Sequence, residues 1–149
     1  MMQTVVSIHC YATLAMVGLI WFVQVVHYPM MADVGQVDFA RYEQIHQSRT
    51  TWVVAPFMLL EAITALWLWQ FSPTPVPRTL VVTGLLLLAI VWGSTYALQV
   101  PMHTKLSSGF DGPSHRFLVT SNWIRTIAWS ARGVVAILIA RRVFSNTAS

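Results

Sequence analysis

Four long apolar runs, at about residues 5–31, 51–71, 79–101 and 117–140, are separated by short stretches in which polar residues gather. Each run is long enough to cross a hydrocarbon core, which needs about 20 residues per helix. Lipid offers no water to pair backbone N–H and C=O groups, so four such runs are predicted to be helices. The fold class expected is all-α, an integral membrane antiparallel four-helix bundle forming one transmembrane domain over residues 1–149. No Lys or Arg precedes the first run, and the run is too long for a cleaved signal segment, so it is read as a retained span.

Composition supports the membrane class: 56% of the residues are hydrophobic and 9% charged, with a mean hydropathy of +0.60. That is too little charge to coat a water-soluble globule of this size. A net charge of +4 would suit a nucleic-acid partner, but the basic residues lie scattered at helix ends and loops, and no nucleic-acid binding is expected. Arg78, Arg141 and Arg142 fall on one side of the bilayer with both termini, and Arg41, Arg49, Lys105 and Arg116 on the other. The Arg141-Arg142 pair directly after the last run tips this near-balance, giving cytoplasmic termini in a bacterial inner membrane with the polar site on the opposite face. Cys10 is the single cysteine, which excludes an intramolecular disulfide and assigns it to packing.

The connections differ in character. Ser72 to Arg78 is a short proline-rich link that makes the second and third helices antiparallel neighbours. The other two, about residues 32–50 and 102–116, are longer and more polar and emerge together on the opposite side. Residues 37–52 contain neither Gly nor Pro, so the second helix is expected to begin early, with Asp38 capping its first turn. Turn signals at Ser107-Ser108-Gly109 and Asp111-Gly112-Pro113 precede a last helix opening near Ser114.

Chemistry-bearing residues converge at that side. Gln24 and His27 share a face of the first helix; Glu43 and His46, three apart, share a face of the second, the Glu-x-x-His spacing that recurs in helical-bundle metal sites. Glu61 is an ionisable residue within a span and so a functional candidate; Pro56, before it, is a candidate kink. Trp92, Tyr96, Gln99 and His103 form one stripe of the third helix, and Asn122, Arg125, Thr126 and Trp129 one face of the fourth. Glu61 and Arg125 fall at similar depth and are expected to pair. Arg132 has no acidic partner at its expected depth and is taken to snorkel towards the terminus side, while His9 and His115 stay outside the site. From rim to floor the expected funnel is His46, His103 and His27, then Gln24, Gln99 and Asn122, then Glu61, Tyr96 and Arg125.

Imidazole with carboxylate suits a transition metal, Fe, Cu, Zn or Mn, on His27, Glu43, His46, Glu61 and His103, or acid–base work without metal. Trp92 and Trp129 are candidate walls for a flat cofactor or ligand, with packing as their plainer role. Gly18, Gly84, Gly93 and Gly133 permit close helix contacts, within the chain or in a homo-oligomer.

The segment Val100-Pro-Met-His-Thr-Lys-Leu106, with Asn122-Trp-Ile-Arg125, Trp129 and His27-Tyr-Pro29, resembles a family of small four-helix membrane proteins that includes the anthrone-oxygenase-like proteins. His103 stands where that family's pattern has Asn. The resemblance implies a cofactor-light oxygenase acting on polycyclic phenolic compounds. Taken with the residues, the expected function is a membrane-embedded oxidoreductase or oxygenase-like enzyme for an apolar, aromatic or quinone-like molecule. In it, His27, His46 and His103 hold a metal or shuttle protons, Glu43 and Glu61 act as ligand or base, and Arg125, Asn122, Gln99 and Tyr96 complete the catalytic set. The alternatives are a lipid, pigment or ion binder or small transporter, and a structural membrane subunit.

Overall fold

A computed structural model of the chain describes residues 1–72, 74 and 76–145. It contains four helices long and apolar enough to cross a membrane: α1 (Met2–Asp33), α2 (Phe39–Gln70), α3 (Arg78–Leu106) and α4 (Gly112–Ser145). They form a helical bundle, and among the described residues there is no strand. Every helix outruns the apolar stretch that marks it in the sequence. α2 gains most, because residues 39–50 include Ala, Arg, Glu and Gln and have no Gly or Pro to break the helix. Asp38 is the residue before α2, as expected, but its side chain caps nothing. α2 also runs through Pro56 as unbroken α-helix. Of the proline-rich link, Pro73 and Pro75 lie outside the described residues.

Two helices are not plain α-helix. α1 widens into a π-helical turn at Val23–His27, just before Pro29, and α3 does the same at Thr95–Gln99, just before Pro101. Proline lacks an N–H and its ring presses on the carbonyl four residues earlier. Widening the preceding turn relieves that pressure and absorbs one extra residue.

α4 is the central helix: half of its apolar stretch is buried, against 33%, 28% and 22% for α1, α2 and α3. Three apolar layers stack along it. Val6, Leu68, Val81, Val135 and Ile139 fill the terminus end, Met16, Ile20, Met58, Val91 and Trp129 the middle, and Tyr28, Met31, Phe39, Leu106 and Leu118 the loop end. Gly133 lets α1 approach α4 closely, since a Cβ there would stand 3.1 Å from Val17; Gly84 faces Val135 and Arg132, whereas Gly18 and Gly93 face no neighbour within 4 Å. The polar residues fall between the apolar layers, in two separate groups.

Candidate functional site

The group nearer the loops draws on all four helices, with a hydrogen-bonded series across three of them. Glu43, wholly buried on α2, accepts from His103 Nδ1 on α3 at 2.5 Å. The opposite nitrogen, Nε2, lies 2.9 Å from the Tyr28 hydroxyl on α1. With a neutral imidazole, the carboxylate on Nδ1 holds the ring proton there and leaves Nε2 to accept from the Tyr28 hydroxyl. The Arg125 guanidinium of α4 lies close to the same phenol. The series therefore runs from the Glu43 carboxylate through His103 to the Tyr28 phenol, with the Arg125 guanidinium beside it.

Its members are held by further contacts. Gln47, one turn beyond Glu43, donates to Glu43 Oε1 at 3.1 Å and to the His103 carbonyl at 3.1 Å, tying α2 to α3. His115 Nε2 donates to the Tyr28 carbonyl at 2.7 Å, anchoring the end of α1 to the start of α4. Arg125 donates to Asn122 Oδ1 at 3.1 Å, and Asn122 in turn donates to Gln24 Oε1 at 2.9 Å. The guanidinium also lies over the Trp129 ring, 5.1 Å from its centroid. Beside this series His27 Nε2 and His46 Nδ1 are 2.9 Å apart, and Thr50 Oγ1 reaches the same His46 nitrogen at 3.0 Å. That nitrogen offers either one lone pair or one N–H, so the two partners compete for it.

The second group lies deeper and corrects the expected pairing. Glu61 does not meet Arg125. It accepts from Arg132 Nε at 3.1 Å and from Trp129 Nε1 at 2.8 Å, and Arg132 also donates to the Gly84 carbonyl. Arg132 is buried and paired rather than snorkelling. His9, set aside from the sequence, joins this region through Thr64 Oγ1 at 2.8 Å.

The set of five metal ligands read from the sequence is thereby divided. Glu61 belongs to the Arg132 group, while His27, His46, His103 and Glu43 direct nitrogens and oxygens at one another or at Tyr28. Among the described residues no three His, Cys, Asp or Glu side chains are grouped so that they could hold a metal ion.

Alongside the first group lies a cavity of about 460 Å³. Met16, Ile20, Val54, Met58 and Trp92 give it apolar walls, and Tyr28, His46, His103 and Arg125 a polar end. It lies between α1, α2 and α3 and reaches the outer surface of the bundle, because its lining includes Leu59, Tyr96 and Val100, which are 52%, 63% and 46% exposed. Tyr96 thus stands at the mouth rather than facing the bundle interior as the stripe predicts. Gln99 is buried and donates to Ser121 at 3.1 Å, and Trp129 is fully buried on Glu61 and is not a wall of the cavity. Sequence reading missed Tyr28 and Gln47 as site members. Gln47 carried a signal, the one-turn spacing from Glu43; Tyr28 beside Pro29 carried none beyond its place in the resemblance.

No family profile, curated protein or solved structure matches this chain.

Proposed function

We propose that the chain is a membrane-embedded, oxygenase-like enzyme that takes a proton from an apolar, aromatic or quinone-like molecule held in the cavity. The observation carrying this reading is the unbroken series Glu43–His103–Tyr28 ending in the wall of an apolar pocket. A carboxylate that orients an imidazole, which in turn accepts from a hydroxyl, is the arrangement that activates the hydroxyl as a base. In this reading Tyr28 takes the substrate proton as its own moves to His103 Nε2, and Glu43 stabilises the imidazolium. Arg125 stands beside the phenol, where its charge opposes the negative charge that develops on the oxygen during the transfer. The electron pair left on the substrate carbon then meets dioxygen. At a methylene carbon the sum is loss of two hydrogens and gain of one oxygen atom, the second oxygen leaving as water.

Dioxygen uptake by purified protein in nanodiscs, with an anthrone-type ketone as probe, tests it. Tyr28→Phe and Glu43→Gln are each expected to lower turnover by about 10²- to 10⁴-fold, the range for loss of positioned acid–base catalysis. Uptake at the wild-type rate in both variants would sink the assignment, and tight probe binding with no uptake in any form would make the chain a binder.

A further inference from the structure

Arg125 is a buried cation whose contacts are all neutral. Glu61 is committed to Arg132 and Glu43 to His103, and among the described residues no carboxylate lies within ion-pair distance of Arg125. It donates to one amide oxygen, its other neighbours are a phenol and an indole face, and its Nε–H, shielded from solvent, has no acceptor. A buried charge without a counter-charge is costly, and a guanidinium carries five N–H donors, more than these neighbours use. Arg125 is also the one α4 side chain, among the described residues, that lines the cavity. The rest of that lining is mainly apolar and leads outward past Leu59, Tyr96 and Val100.

We infer that the cavity is a binding site for an amphipathic monoanion, its oxyanion head on Arg125 and its apolar body between Met16, Ile20, Met58 and Trp92. The head is a carboxylate or an ionised phenol, since either presents oxygen lone pairs to the guanidinium fork. The inference rests on the proposed function only for the location of the site. The anionic head is a standing charge of the ligand, distinct from the atom that exchanges a proton with Tyr28. A cavity of this size accommodates a single lipid-like chain or a few fused rings, and its open side lets a longer tail extend into the bilayer.

Equilibrium binding to the protein in zwitterionic nanodiscs tests this, with myristate against myristyl alcohol and naphthol above and below its ionisation, each corrected for partition into empty discs. At least one anion is expected to bind about tenfold to a hundredfold more tightly than its neutral counterpart, the range for a hydrogen bond to a charged group. Preference for myristate identifies a chain-like ligand, and preference for naphtholate a ring. Arg125→Gln is expected to abolish the preference and Arg125→Lys to keep part of it. Equal binding of anion and neutral form, or a preference unchanged in Arg125→Gln, overturns the inference. Should Arg125→Gln fail to fold, Met58→Trp fills the pocket with Arg125 intact, and anion binding that survives it overturns the inference equally. Glu43→Gln separates the two readings: it is expected to keep anion preference while losing turnover. Preference retained with turnover unaffected would refute the proton relay alone.

Discussion

Arg125 and Arg132 are seven residues apart, two turns and about 10.5 Å along the same face of α4. That spacing explains why the sequence identified the right face and the wrong partner for Glu61. The apolar boundaries near Thr51 and Phe117 put Glu61 level with Arg125, whereas α2 and α4 begin at Phe39 and Gly112 and their offset is set by packing. Glu61 thereby meets the lower arginine. The pair is wholly buried, so neutralising one member leaves the other charge alone in an apolar layer. Glu61→Gln is expected to lower stability by about 3–5 kcal/mol in chemical denaturation of the detergent-solubilised protein. Adding Arg132→Met should recover a large part of that loss. A double variant no more stable than Glu61→Gln alone would show that the charge is not what makes the single change harmful. Tyr28 illustrates the opposite failure of legibility: a tyrosine at the end of a membrane helix reads as an interfacial anchor, and only tertiary contact with His103 reveals another role.

Among the elements, the start of α4 was legible to within two residues of Ser114, because turn chemistry dictates it. Asp111 accepts from the Ser114 backbone N–H at 3.0 Å and from Lys105 Nζ at 3.0 Å. Hydrogen bonding from the Ser114 side chain, with that from Lys105 and the Ser114 backbone, holds its carboxyl down to about 2 from the usual 3.8. The folded-state value is the lower, so the contribution of this cap is fully present above about pH 4 and fades as pH falls through 2. Acid titration followed by helical signal should show Asp111→Asn losing the pH dependence of this step, with the wild type retaining it. α1 and α3 were less legible. The stripe Trp92, Tyr96, Gln99, His103 assumes regular α spacing, and the wide turn at Thr95–Gln99 adds a residue just where the stripe passes. The faces before and after it are rotated relative to each other, so Gln99 is buried while Tyr96 is exposed. Proline at positions 29 and 101 is the sequence cause, but proline near the end of a span also reads simply as the end of the helix.

For the whole molecule, the bundle architecture followed from the four apolar runs alone, since length and the need to satisfy the backbone leave few other solutions. The alternation of apolar and polar layers did not. It depends on which turns of neighbouring helices share a height, and the hydrophobic pattern within a single helix carries no such register. The cavity was also invisible, because it arises where α2 and α3 stand apart around Thr51, Leu59, Tyr96 and Val100, residues that look like ordinary lipid-facing positions.

That open side of the cavity also determines which concentration governs occupancy. A ligand arriving past Leu59 and Tyr96 is counted per lipid molecule, not per litre of buffer. Diluting the same quantity of ligand into more inert bilayer lowers occupancy, even though the aqueous volume is unchanged. Rates measured at fixed bulk ligand and rising lipid-to-protein ratio are therefore expected to fall in proportion to the ligand's mole fraction in the membrane. A rate indifferent to added lipid would place the entrance on the water side.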